Sequence, residues 1–253
     1  MNTKIKKIAQ NVIKLEIDAL KKLKKLINNN FIKAVNEITN CKSKVILCGV
    51  GKSGLIASKI SATLSSVGCP SFSISANDCL HGDLGSISKN DLLILISNSG
   101  ESEELHPIIK YANRNGIKLI GITSKKNSVL SKGSDIILLI PSAKEAGLGI
   151  VPTSSTSMQL AIGDALAVAT INKKRFNKYD FSKLHPAGNL GKQLKTVEDL
   201  MVINEKIPFI NENKNIKEGI KLITKKKLGL LIARNNKRIT TGILTDGNIR
   251  KLK

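Results

Sequence analysis

Asp91-Leu-Leu-Ile-Leu-Ile-Ser97, running straight into Asn98-Ser-Gly-Glu-Ser102, decides the fold. Five consecutive aliphatic residues leave no polar face. The run therefore predicts a strand buried on both sides, in the interior of a sheet. The hydroxyl-rich stretch behind it predicts a turn into a helix that starts near Ser102 and ends near Asn115. Working outward, the pairing of apolar run and helix recurs. Lys44–Val50 ends in glycines and precedes a helical pattern over Leu55–Val67. Ser71–Ser75, Lys118–Thr123 and Asp135–Ile140 read as strands, and Thr153–Ile171 as a long helix. Five strands, most of them apolar on both faces, alternate with helices. That pattern predicts a three-layer α/β/α domain around a parallel five-stranded sheet.

Two segments flank this core. Residues 4–40 read as helix, because Ile5, Ile8, Val12, Leu15, Ala19, Leu23 and Leu26 keep near-helical spacing among lysines. Asn28-Asn-Asn30 predicts a break in it. After Leu194 the texture changes, with strand-like Leu228–Ala233 and Ile239–Leu244 and a Thr245-Asp-Gly-Asn248 end. The expected division is a main domain over 1–195 and a small α+β tail over 196–253. The tail is marginal as an independent fold.

Composition removes several function classes. The 253 residues carry a net charge of +22, but only five of the 41 basic residues are arginine. Bidentate nucleic-acid recognition favours arginine, and an aromatic content of 3% leaves few stacking platforms. The lysines fit a Lys/Ile/Asn composition bias better than a nucleic-acid partner. No apolar run approaches the ~20 residues that span a bilayer, so no membrane partner is expected. Cys41, Cys48, Cys69 and Cys79 form no CxxC pair. Reduced thiols in a cytoplasmic protein are expected.

Ligands of parallel sheets bind at the carboxyl ends of the strands. Gly49-Val-Gly-Lys-Ser-Gly54 lies at the first such end. It matches GxGxxG formally, but the second strand ends in Ser75 where a dinucleotide site wants an acid, and Lys52 is foreign to a pyrophosphate turn. It is not a Walker A loop, since Ile46 stands where that motif needs glycine. The glycines are expected to let backbone approach a ligand, with Lys52 beside an anion or a developing oxyanion. Ser97-Asn-Ser-Gly-Glu-Ser102 places three hydroxyls around Gly100 at a helix start, an arrangement suited to phosphate, with Ser102 also a candidate helix cap. Thr153-Ser-Ser-Thr156 opens another helix. Of the three histidines, His81 and His185 sit in loops and are candidates for chemistry, whereas His106 reads as structural.

Seven motifs occur in one order: Gly51-Lys-Ser-Gly54, His81-Gly-Asp-Leu-Gly85, Ser97-Asn-Ser-Gly-Glu-Ser102, Ala143-Lys-Glu-Ala146, Pro152-Thr-Ser-Ser-Thr156, Gly163-Asp-Ala-Leu-Ala167 and His185-Pro-Ala-Gly188. The series resembles the D-arabinose 5-phosphate isomerases of the sugar isomerase (SIS), flavodoxin-like fold. The tail resembles a CBS motif through Asp199-Leu-Met201 and Thr245-Asp-Gly247. The resemblance implies interconversion of D-ribulose 5-phosphate and D-arabinose 5-phosphate, supplying 3-deoxy-D-manno-octulosonate for lipopolysaccharide. It implies catalytic roles for Lys52, Glu104, Glu145 and His185. It implies substrate contacts at Gly68, Cys69 and His81, besides Gly51, Ser53, Ser97, Ser99, Gly100, Ser102 and Thr153, Ser154, Ser155, Thr156. It also implies an oligomer, commonly a tetramer. Two departures stand out. Ser75 replaces a family histidine implicated in zinc binding, so no native metal is expected. One CBS motif is visible where the family carries two, which puts adenosine-ligand sensing in doubt.

The implied reaction moves a proton between C1 and C2 of an open-chain sugar phosphate through an enediol. It needs a base, an oxyanion stabiliser and a phosphate anchor, and no cofactor. The serines and threonines would hold phosphate. Glu104 or Glu145 would be the base, its pKa tuned by burial. Lys52 would stabilise the enediolate, and His185 would open the ring or shuttle a hydroxyl proton. Spacing does not distinguish the glutamates. The competing readings are an isomerase of another sugar phosphate and a noncatalytic sugar-phosphate sensor; a sensor would not need all four catalytic-type residues.

Overall fold

A computed structural model of the chain describes residues 2–185 and 196–251. The chain separates into two units, Met1–Leu194 and Lys195–Lys253.

In the first unit the strands β1 (Val45–Gly49), β2 (Ser71–Ser75), β3 (Leu92–Ile96), β4 (Lys118–Thr123) and β5 (Ile136–Leu139) form one sheet. Their order is β2-β1-β3-β4-β5, and every pairing is parallel. The period-2 alternation of each strand feeds two separate cores. Leu47, Ile94, Ile96, Ile120 and Ile122 face one apolar cluster. Ile46, Cys48, Leu93, Leu95 and Leu119 face the other. Both sides of β1 and β3 are fully buried, which is why those strands are continuous aliphatic runs.

The first layer contains α1 (Asn2–Leu26), α2 (Asn29–Asn40), α3 (Lys52–Ser66) and α7 (Ser154–Lys174). The break between α1 and α2 falls at Asn28, whose side-chain oxygen accepts from Asn30 N–H and caps α2. The second layer contains α4 (Ala76–Cys79), α5 (Leu105–Asn115) and α6 (Val129–Gly133). A further helix, α8 (Lys178–Leu184), is held at its start by a capping box between Asn177 and Asp180. Sequence periodicity did not reveal α4, α6 or α8, each seven residues or shorter.

Two helix starts differ from expectation. α3 begins at Lys52, three residues before Leu55, because Gly51 turns the chain with φ of 56°. Gly49 and Gly54 serve the turn rather than a ligand: a Cβ at Gly49 would lie 2.8 Å from the Ser53 carbonyl carbon, and one at Gly54 2.8 Å from the Gly49 oxygen. α5 begins at Leu105, not near Ser102.

α3 and α7 pack side by side at close range. A Cβ at Gly163 on α7 would overlap Ile60 on α3, and Lys59 pairs with Asp164 beside that contact. At the amino ends of β1 and β3 the Asp91 carboxylate is buried, accepting from Ser43 Oγ at 2.6 Å, Ser88 N–H at 2.7 Å and Ser88 Oγ at 2.9 Å. It ties together the amino ends of β1 and β3.

In the second unit, β6 (Phe209–Asn211) runs parallel to β7 (Leu230–Arg234), and β8 (Thr240–Thr245) pairs antiparallel with β7. A four-residue helix α9 (Val197–Leu200) precedes them, α10 (Ile216–Lys226) lies between β6 and β7, and α11 (Asp246–Arg250) follows β8. Ile223 and Leu231 are its buried centre. Among the described residues no helix is long and apolar enough to cross a membrane.

Candidate active site

The sheet order reverses between β1 and β3, since β2 lies on one side of β1 and β3, β4 and β5 follow on the other. At such a switch point the loops leaving two neighbouring strands diverge and open a crevice at the carboxyl edge. A cavity of about 290 Å³ lies at this edge. Val50, Lys52 and Ser53 from the loop after β1, and Asn98 from the loop after β3, line it. Glu145, Ser155 and Thr156 line it from the far side, with Ile150 and Pro152 of the connecting loop. The first turns of α3 and α7 both supply residues to it, so the positive ends of two helix dipoles meet there. Among the described residues no carboxylate forms an ion pair with Lys52.

Glu145 is fixed by the start of α7. Its Oε2 accepts from Thr153 N–H at 2.7 Å and from Thr153 Oγ1 at 3.0 Å, and its Oε1 accepts from Ser155 N–H at 3.3 Å. Burial pushes the carboxyl up. Hydrogen bonds from the Ser155 side chain, from the Thr153 N–H and hydroxyl, and from the Ser155 N–H outweigh burial and hold it below the usual carboxylate range. The expectation that burial tunes this pKa is corrected here: the donors of the helix start win. Glu145 is an ionised carboxylate at neutral pH and lines the same cavity as Lys52.

The four hydroxyls of the Thr153–Thr156 cluster divide. Thr153 is committed to Glu145 and also accepts from Ala146 N–H at 2.9 Å. Ser154 is fully buried and donates to the Lys144 carbonyl at 2.9 Å. Ser155 and Thr156 alone of the four line the cavity. The serine loop is knit to itself. Ser97 Oγ accepts from Gly100 N–H at 3.0 Å and lies 3.0 Å from Ser102 Oγ and 3.4 Å from Ser99 Oγ. Ser102 thus bonds Ser97 and is not the helix cap; the cap position of α5 is Glu104. Gly100 has φ of 68°, and a Cβ there would overlap Ser128, so this position needs glycine twice over. From this loop Asn98, not a serine, borders the cavity.

The other expected residues are distributed around the domain. Glu104 is half-buried at the start of α5, beside the serine loop and outside the cavity lining. His81 follows α4 and is exposed at the carboxyl side of β2. Gly68 and Cys69 precede β2, at the opposite edge of the sheet, so one chain alone does not bring them to this cavity. There Phe176 packs on Gly68, and the Lys174 ammonium lies 3.6 Å from the buried Cys69 sulfur. Burial raises the Cys69 thiol pKa. Ser75 uses its hydroxyl to accept from Asp78 N–H and cap α4.

His185 ends α8. Its ring stacks on Phe181 with centroids 3.8 Å apart and planes 9° from parallel. Nδ1 lies 2.8 Å from the Phe181 carbonyl oxygen. A carbonyl only accepts, so Nδ1 carries the proton and Nε2 keeps its lone pair in the neutral ring. His185 does not line the cavity of its own chain, and residues 186–188 of its motif lie outside the described residues. His106 has its Nε2 buried without a hydrogen-bond partner.

Sequence reasoning missed Asn98, Ile150 and Gln159. Asn98 was legible as the one non-hydroxyl polar residue inside the serine motif. Ile150 carried no signal. Gln159 lies one turn after Ser155 on α7, fully buried against Ser53.

Comparison with known proteins identifies the family. The SIS domain family model matches residues 37–169. Arabinose 5-phosphate isomerase KdsD of Francisella tularensis is 42% identical over 250 residues, covering 96% of this chain and 76% of that protein. Arabinose 5-phosphate isomerase KdsD of Escherichia coli K12 is 38% identical over 245 residues, covering 96% and 75%. Among solved structures, the E. coli CFT073 protein c3406 in complex with arabinose 5-phosphate superposes with a TM-score of 0.71 at 36% identity, covering 74% of this chain and 100% of that one. The chain belongs to the SIS-domain family and, within it, to the arabinose 5-phosphate isomerases.

Proposed function

We propose that this protein interconverts D-ribulose 5-phosphate and D-arabinose 5-phosphate through an enediol. The observation that carries the reading is the meeting of Lys52 and Glu145 in one hydroxyl-lined cavity at the carboxyl edge of β1 and β3. Each part answers a need of the reaction. The first turns of α3 and α7, with Ser53, Ser155 and Thr156, supply donors for a phosphate dianion. Glu145 is already ionised and can take the proton from the carbon beside the carbonyl. Lys52 faces the oxygen on which charge then develops. The proton returns to the neighbouring carbon, so the sugar is isomerised with no net redox change.

His185 is the acid–base group for ring opening or for the hydroxyl proton. Its fixed tautomer and its place away from its own cavity favour delivery across a subunit interface, within a homotetramer. Glu104, at the start of α5, supports the second proton transfer. Residues 196–253 form a CBS-like accessory unit, supported by the order β6-α10-β7-β8-α11. The product would feed 3-deoxy-D-manno-octulosonate, and so lipopolysaccharide, in the cytoplasm.

The direct test is to incubate the protein with ribulose 5-phosphate in the presence of a chelator and identify the pentose phosphate formed. Arabinose 5-phosphate is the expected product. Formation of ribose 5-phosphate or xylulose 5-phosphate, or unchanged substrate, overturns the reading.

A further inference from the structure

Gln159 is a buried amide with one end unaccounted for. Its side chain is wholly within the α3–α7 interface, with no solvent exposure. Oε1 lies 3.2 Å from Ser53 Oγ, and Nε2 is buried with no hydrogen-bond partner. Two hydrogen-bond arrangements fit these heavy atoms, because the two ends of an amide have the same shape. In the first, Ser53 donates to the amide oxygen, and the NH₂ is orphaned in a dry interface. In the second, the amide is turned over, and the NH₂ donates to Ser53 Oγ. A buried N–H without an acceptor is the costlier orphan, since a carbonyl tolerates under-satisfaction better. The second arrangement is the stable one.

The choice has a consequence for the cavity. Ser53 has one proton, and it lines the cavity from the first turn of α3. If that proton is spent on Gln159, Ser53 offers a phosphate only lone pairs, and a phosphate dianion has no proton to meet them. If Gln159 donates, the Ser53 proton is released toward the cavity. We infer that Gln159 is a positioning residue that orients the Ser53 hydroxyl as a donor for the substrate phosphate. The inference rests on the proposed phosphate-binding role of this cavity and extends it one layer inward.

The test is a double-mutant cycle on the full chain, read by calorimetric binding of inorganic phosphate and by steady-state kinetics. Gln159→Met keeps the unbranched shape and removes the donor. It should weaken phosphate binding and raise KM by about fivefold to tenfold, the worth of roughly one ordinary hydrogen bond, with kcat nearly unchanged. Ser53→Ala should weaken phosphate binding by itself, and adding Gln159→Met to it should change nothing further. An equal effect of Gln159→Met with and without Ser53 overturns the inference, because it marks a purely structural role. So does an unchanged phosphate affinity in Gln159→Met, or wild-type protein that binds no phosphate. If Gln159→Met does not fold, Gln159→Leu, which also lacks a donor, is placed in the same cycle and should weaken phosphate binding only when Ser53 is present. Failure of the isomerase reading shows separately, as absence of product from the wild type while phosphate binding still follows the cycle.

Discussion

At the scale of single residues, Glu145 joins two places: it closes the first turn of α7 and it lines the same cavity as Lys52. Glu145→Gln keeps one acceptor oxygen for Thr153 and Ser155 and removes the proposed base. Turnover of ribulose 5-phosphate should fall by about 10²–10⁴-fold, the usual share of a general base. Unfolding in urea at pH 7 should show a loss of only about 1 kcal/mol. The sign of the pH effect follows from the depressed pKa. The carboxylate stabilises the fold above its unfolded-state pKa, and that contribution is lost as pH falls through the lower, folded-state value. The wild type should therefore lose its margin over Glu145→Gln on acidification below about pH 4.3. Near-normal turnover by the variant would remove Glu145 from the mechanism. Of these residue-level facts, the lysine, the glutamate and the hydroxyls were legible in sequence as a chemical set. Which hydroxyls face the cavity was not. Ser154 and Thr153 share their motif with Ser155 and Thr156, and only the helix turn decides that the first two point to Lys144 and Glu145.

At the scale of elements, the cavity depends on how closely α3 and α7 lie together. Gly163 permits that approach, because a Cβ there would overlap Ile60. Gly163→Val should force the helices apart and destabilise the protein by about 1–3 kcal/mol. Combined with Ile60→Ala, which opens the space the valine needs, the two changes should cost less than their sum by about 1 kcal/mol or more. Strict additivity in denaturation experiments would show that the two residues do not meet. The five strands were legible because their aliphatic runs report burial on both faces. Ser71–Ser75 and Lys118–Thr123 were read to the residue. Helix starts were less legible. At α3 a positive φ at Gly51 lets the helix begin early, and at α5 the capping candidate Ser102 is engaged by Ser97. Both outcomes depend on atoms distant from the local pattern.

At the scale of the whole molecule, both apolar clusters of the first unit are built from residues between Ala19 and Ala169. Removal of residues 196–253 should leave a folded protein with turnover within a few-fold of the full chain. A truncated form that keeps its secondary structure and oligomeric state but is inactive would make the tail part of the catalytic unit. The net charge of +22 belongs to this scale also. It is a property of the whole surface and says little about the site, where the proposed chemistry falls to Lys52, Glu145, Glu104 and His185. Gln159 was illegible at every scale short of the folded molecule. A glutamine in an amphipathic helix reads as surface until a neighbouring helix closes over it.

Under the proposed role of Glu145 as base, its bonds to the first turn of α7 set opposed pressures on any redesign of this enzyme. Changes that strengthen the donors at Thr153 and Ser155 would harden the helix against heat and make the carboxylate a poorer proton acceptor. Changes that free the carboxylate would quicken proton removal and loosen the helix. Selection for endurance and selection for speed therefore compete for one side chain, and a heat-tolerant relative should be expected to have moved its reinforcement elsewhere.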